Sequence, residues 1–188
     1  MTTMGWAVVI IYAVTITVVV FGLLSLAYGS HLAAPWVPSG RAEREAIAEA
    51  LPVSETATVY DLGCGNGGVL FALLDRHPGV RAVGCDVAWP PLLVAAFRRL
   101  LHRRYRGLRL VWADYFRRQI GEADAVLLYA LRRSYPRIMN KFSTELRPDA
   151  WVAVERWPFP GLVPAKTLRV PGGHDWFLYR GGQFRTGV

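Results

Sequence analysis

Residues 59–67 read V-Y-D-L-G-C-G-N-G, and no other stretch restricts the fold of this chain as much. An apolar run, 57–60, ends in an acid, Asp61, and glycines follow at alternate positions, Gly63, Gly65 and Gly67. A helix-like run begins at once, Gly68 to Arg76. The pattern predicts a buried strand, a tight turn of bare backbone and the N-terminus of a helix. Glycine admits the left-handed conformations such a turn needs and lets a ligand lie against main chain. The unpaired N–H groups of the first helical turn point into the same crevice.

The rest of the chain repeats strand and helix signals. Strands are predicted at 58–61, 81–86, 108–113, 125–130 and 150–155. Helices are predicted at 41–51, 68–76, 91–105 and 134–146, with Ser39 as N-cap of the first. A C-terminal hairpin is predicted from 167–170 and 176–179, around Pro171-Gly172-Gly173. Alternation of this kind builds a mostly parallel, Rossmann-like α/β sheet with helices on both faces.

Acids stand where that sheet would gather them. Asp61, Asp86 and Asp114 each close a predicted strand, and strand ends on one edge of an open α/β sheet meet at the ligand crevice. Gly63, Gly65 and Gly68 also satisfy a dinucleotide fingerprint. A carboxylate just before the turn is ill placed for a pyrophosphate and well placed for an ammonium and a sulfonium. The acids and the turn together point to S-adenosylmethionine. Asp61 and the glycines would hold its methionine part, Asp86 its ribose hydroxyls and Asp114 its adenine, although Asp86 and Asp114 are also ordinary turn or capping residues. No Cys/His spacing resembles a metal site, and Cys64 and Cys85 read as reduced, packed thiols.

Residues 5–28 carry no charge and are long enough, at ~1.5 Å per residue, to cross a hydrocarbon core of ~30 Å. Trp6 and Tyr28 suit the two interfaces. The reading is a 1–4 tail, a 5–28 transmembrane helix, a 29–40 linker and a 41–188 catalytic domain. Arg41 and Arg44 follow the span and no Lys or Arg precedes it, which sets the domain on the cytoplasmic side of a single-pass anchor. The net charge of +8 fits an anionic surface nearby. Arg98, Arg99, Arg103, Arg104 and Arg106 crowd one helix end, a pattern open to lipid contact, RNA contact or plain solvation.

The order of parts resembles a small family of class I protein-lysine N-methyltransferases. It runs from a membrane segment through A-P-W-V-P-S (34–39), D-L-G-C-G-N-G (61–67), G-C-D (84–86) and W-A-D-Y-F (112–116) to R-W-P-F-P (156–160). The family includes membrane-anchored mitochondrial enzymes acting on the ATP synthase c subunit and the adenine nucleotide translocase, and similar archaeal broad-specificity enzymes. The resemblance spans residues 28–179. The chain departs from it at Asn66 and Gly68, where Asp and Arg are usual, and at Asp86, where Glu is usual. The resemblance implies that Trp36-Val37-Pro38 folds over the cofactor as a lid and that the acceptor is a lysine of a membrane or membrane-associated protein.

Tyr129, Trp157 and Phe159 are expected to line the acceptor mouth, where aromatic faces would align an amine. Glu155 is a candidate to orient it, and none of the four histidines is singled out. The membrane tether and the absence of an Asn/Asp-Pro-Pro-aromatic motif after 125–130 argue against a nucleic-acid substrate. A small-molecule or lipid-quinone acceptor stays open beside lysine.

Overall fold

The computed structural model describes residues 3–32 and 34–185. Predicted features falling on Met1, Thr2, Ala33 and 186–188 lie outside the described residues.

The sheet has seven strands in the order β3-β2-β1-β4-β5-β7-β6. These are β1 (Thr58–Leu62), β2 (Arg81–Asp86), β3 (Leu108–Trp112), β4 (Ala125–Leu128), β5 (Trp151–Glu155), β6 (Lys166–Leu168) and β7 (Trp176–Arg180). β1 to β5 pair in parallel, and β7 joins β5 antiparallel with β6 outside it. The central strand β1 is buried along its whole length, as a strand covered on both faces must be. Side chains alternate between two cores. Val59, Ala125, Leu127 and Ala153 face one, and Tyr60, Val126, Leu128, Val152 and Val154 face the other. The first is closed by α2 (Arg41–Ala50), α3 (Gly68–Arg76) and α4 (Trp89–Leu101), the second by α5 (Tyr135–Glu145). Leu70 and Phe71 of α3 are fully buried, each worth about 1.5–3 kcal/mol by transfer from water.

The boundaries of α3 and β2 match the predicted ranges, and the other elements shift at their ends. α4 starts at Trp89, before the predicted 91, because Pro90 and Pro91 fall in its first turn, where no N–H is needed. It stops at Leu101, and a separate 3₁₀ turn, Arg103–Tyr105, carries the chain on so that Tyr105 packs on Phe71 with ring centroids 4.6 Å apart.

Two expectations for the N-terminal region are corrected. First, the apolar helix α1 runs Thr3–Leu32, so the linker does not begin at Gly29. Gly22 and Gly29 form a close-approach face instead. A Cβ on Gly22 would sit 3.4 Å from Trp89, and one on Gly29 3.3 Å from Val87. Phe21 stacks on Trp89 at 6.2 Å, and Arg133 Nη2 donates to Ser30 O at 2.5 Å. The last third of α1 is thus docked on the domain. Its residues from Gly5 on are long and apolar enough, by length and composition, to cross a membrane. Second, Ser39 does not cap α2. Gly40 holds the N-cap position, and the Ser39 hydroxyl donates to Glu155 Oε2 at 2.5 Å.

Candidate active site

The glycine turn folds as its sequence requires. Gly63, Gly65 and Gly67 have φ of +90°, +51° and +72°, the left-handed region where a side chain is strained. Gly63 N–H and Cys64 N–H both donate to Cys85 O, which ties the turn to the end of β2. Gly65 N–H donates to Asp86 Oδ2 at 2.7 Å, and Ala88 N–H to Asp86 Oδ1 at 2.7 Å. With Val87 N–H a third donor, the Asp86 carboxylate still keeps acceptor capacity for a hydroxyl.

A cavity opens over this turn at the C-terminal edge of the sheet. Asp86, Asp61, Tyr129 and Glu155 border it, from the ends of β2, β1, β4 and β5. Those strands are consecutive neighbours, so the four residues follow one another in space as in the sheet order. The far wall is the strap 34–39, and the side wall is the end of α1, through Leu26, Gly29 and Ser30. Trp36 lies against Gly65 so closely that a Cβ there would run into its indole.

The cavity is acidic inside a protein of net charge +8. Burial, then the charges of Asp86 and Glu155, push the Asp61 carboxyl up to about 8. Burial also raises Asp86, against the pull of its backbone N–H donors. Glu155 is raised by burial and by Glu43, and is held back by Ser39 and His174. His174 Nδ1 lies 3.3 Å from Glu155 Oε1, and His174 N–H donates to Glu43 Oε1 at 3.0 Å. Glu43, Glu155 and His174 offer donor atoms within 4.8 Å of one another, a spacing their mutual hydrogen bonds account for.

The predicted site residues divide clearly. Trp36, Asp61, Gly63, Gly65, Asp86 and Tyr129 border the cavity. Gly67 lies behind the turn as the N-cap of α3. Asp114 is not among the residues that border the cavity, although Tyr115 beside it is; its Oδ1 accepts from Phe116 N–H at 2.8 Å and caps a 3₁₀ turn. Phe159 is corrected, being buried among Tyr135, Phe142, Tyr179 and Phe184 in the second core. Trp157 stays near the mouth, its ring 5.8 Å from that of Tyr129, but the Arg156 guanidinium lies over its face at 4.5 Å. Arg156 holds φ +78°, a left-handed bend directly after Glu155. Sequence reasoning passed over Ser39, Glu43 and His174, whose partners lie 116, 131 and 19 residues away in the chain.

The site suits a nucleoside bearing a cation. No atom lies within 4 Å of the Cβ position at Gly63, so bare backbone borders open space there, and the buried Asp61 and Asp86 offer negative charge and hydroxyl acceptors beside it. The cavity holds about 80 Å³, less than the ~300–1,000 Å³ of ligand pockets, with Trp36 and the strap 34–39 forming one wall against the glycine turn. Gly65→Val would force a β-branched residue into a left-handed φ and against Trp36. Titration calorimetry is expected to find no S-adenosylmethionine binding in this variant, with circular dichroism unchanged.

A family model described as "ANTKMT methyltransferase domain" matches residues 61–166. A protein-lysine N-methyltransferase of Saccharolobus islandicus (strain REY15A) is 24% identical over 163 residues, covering 85% of this chain and 100% of that protein. Among solved structures, an RNA methyltransferase from Salinibacter ruber in complex with S-adenosyl-L-homocysteine superposes with a TM-score of 0.71 at 23% identity, over 77% of this chain and 93% of the other. A mitomycin 7-O-methyltransferase gives 0.62 at 20% identity, over 73% and 52%. At such identities the likeness of structures is one of fold.

Proposed function

The chain belongs to the ANTKMT methyltransferase family, and from that membership we propose that it methylates a lysine amine of a membrane or membrane-associated protein, working from a domain anchored on the cytoplasmic side by α1. Its methyl donor is S-adenosylmethionine, which when bound supplies an electrophilic methyl group on a sulfonium. Asp61 would hold the ammonium end and Asp86 the ribose, with Gly63 and Gly65 giving backbone contact. Asp114 would offer its Oδ2 to the adenine while Oδ1 caps Phe116.

The single observation carrying the reading is the order Asp86, Asp61, Tyr129, Glu155 along one sheet edge. On this reading the cofactor lies over β2 and β1 and the acceptor over β4 and β5. Transfer is a displacement to which the protein contributes mainly positioning, worth up to ~7–11 kcal/mol. A lysine must be neutral to attack, and burial beside positive charge favours loss of its proton. Glu155 is the acceptor for that proton. His174, partly exposed, passes it to solvent, and the strap, tied to Glu155 through Ser39, excludes water. Tyr129 and Trp157 guide the amine, with Arg156 yielding the face of Trp157. The Saccharolobus relative, matched over its whole length and named as a lysine enzyme, supports this acceptor over the alternatives.

The test is transfer of radiolabelled methyl from S-adenosylmethionine by the full chain in lipid nanodiscs to a fractionated lysate. Label recovered as methyl-lysine from the membrane protein fraction is expected. Label in the lipid extract would mean a lipid or quinone acceptor, and label in RNA a nucleic-acid one. Either displaces lysine while leaving the cofactor assignment intact.

A further inference from the structure

α4 is apolar on the side that faces away from the core. Pro91, Leu92 and Ala95 are buried against the sheet. Leu93, Val94, Phe97, Leu100 and Leu101 are exposed, Leu100 by 79%, and they fall at the spacing of a single helical stripe. Trp112, 60% exposed, extends the stripe from the end of β3. Five large side chains on one short helix are more than scattered surface apolars, and a contiguous patch of this kind marks a membrane or partner contact.

The placement of α1 decides which. Crossing ~30 Å of hydrocarbon at ~1.5 Å per residue takes about 20 residues, which from Gly5 reaches Leu24. The helix is already docked by then. Phe21 stacks on Trp89 of α4 and meets Trp112 edge-on at 6.2 Å, and Gly22 abuts Trp89 and Pro90. A bilayer around residues 5–24 therefore surrounds the start of α4 as well. Charge completes the match. Arg99, Arg103 and Arg106 stand exposed at the far end of the helix, whereas Arg104 is held by Asp75 and Arg98 lies over Phe71. Exposed arginines beside an apolar stripe suit anionic headgroups. RNA would satisfy the arginines and leave the stripe in water.

We propose that α4 is a second membrane element. Its outer stripe lies in the interface of an anionic bilayer beside α1, with Arg99, Arg103 and Arg106 among the phosphates. This rests on the reading of α1 as a span. It also fixes the height of the active site. Leu26 to Ser30 wall the cavity two to six residues past Leu24, about 3–9 Å above the hydrocarbon edge for an upright helix. The acceptor lysine is then one held at headgroup depth.

The test uses the full chain in vesicles of phosphatidylcholine, with or without phosphatidylglycerol. A fluorophore is attached at Phe97→Cys, at Ala13→Cys in mid-span, or at Thr144→Cys on α5 across the sheet. The native Cys64 and Cys85 are buried and do not compete for it. With anionic lipid, the Phe97→Cys label is expected to lose most of its iodide quenching and to be quenched by nitroxide lipid, as Ala13→Cys is in both lipids, while Thr144→Cys stays open to iodide. A label at 97 open to iodide with 13 still protected overturns the α4 proposal and leaves the span standing. A label at 97 shielded from both quenchers means a second copy covers the stripe, and shielding that needs added RNA means a nucleic-acid face. Both overturn it. A label at 13 open to iodide removes the span and the proposal together.

Discussion

Asp61→Asn is expected to weaken S-adenosylmethionine binding by about 30- to 5,000-fold, the span that 2–5 kcal/mol for an unpaired buried charge implies. The substitution keeps the shape of the side chain and removes only its negative charge. Asp61 is almost fully buried and has Asp86 and Glu155 as like-charged neighbours, so without a ligand its carboxyl rises to about 8. A cationic ligand reverses that balance and returns the group to its ionised form. Binding must then release a proton. At pH 7 a carboxyl titrating near 8 is roughly nine-tenths protonated, so about 0.9 proton should leave per ligand bound. The sign follows from the bound form holding fewer protons. Affinity climbs nearly tenfold from pH 6 to pH 7 and levels off above pH 8. Calorimetry in buffers of different ionisation enthalpy reads the proton directly, and the Asp61→Asn variant should lose both the release and the slope. Release of no proton by the parent protein would remove Asp61 from contact with the cation.

What could be read from the sequence was local. The turn at 63–67, α3 and β2 rest on near-neighbour chemistry, a left-handed glycine here and an apolar period there, and such signals survive folding. The losses came where one residue type serves two purposes. Asp114 ends a strand as Asp61 and Asp86 do, and one of its oxygens also caps the N–H of Phe116 two residues on. Gly29 reads as a helix stop by conformational freedom, yet it serves as a notch for Val87. Phe159, between prolines after β5, has the flanks of a loop residue, and only the arrival of Tyr135, Phe142, Tyr179 and Phe184 from distant elements makes it core. Ser39 illustrates the limit most directly. Beside a helix start its best local partner is that helix, and the better one, Glu155, comes from the far side of the domain. The β5 side of the cavity is assembled from such distant pairs, which is why the glycine turn was legible and the Ser39–Glu155–His174 contacts, the proposed proton path, were not.

The second large effect belongs to that path. Glu155→Gln is expected to lower kcat by about 10²- to 10⁴-fold, the range for loss of a positioned proton acceptor. Affinity for S-adenosylmethionine should change little, because Asp61 and Asp86 are untouched. Glutamine still accepts from the Ser39 hydroxyl, so the strap should stay tied and the loss should fall on kcat more than on KM. The pH profile separates a proton acceptor from a mere support. Glu155 is faced by Glu43, His174 and Ser39 and feels the charge of Asp61. Burial lifts it above the ordinary carboxylate range. In the parent protein, kcat should therefore be lost as the pH falls through that raised value, since a protonated Glu155 accepts nothing. In the variant that limb disappears, and the rate instead rises with pH as solvent takes the proton from the lysine. His174→Ala should leave the acceptor in place and slow only its discharge, a smaller loss that imidazole buffer relieves. A Glu155→Gln enzyme with parental kcat and an unchanged acid limb would show that the amine arrives neutral, leaving Glu155 as a tether for the strap alone.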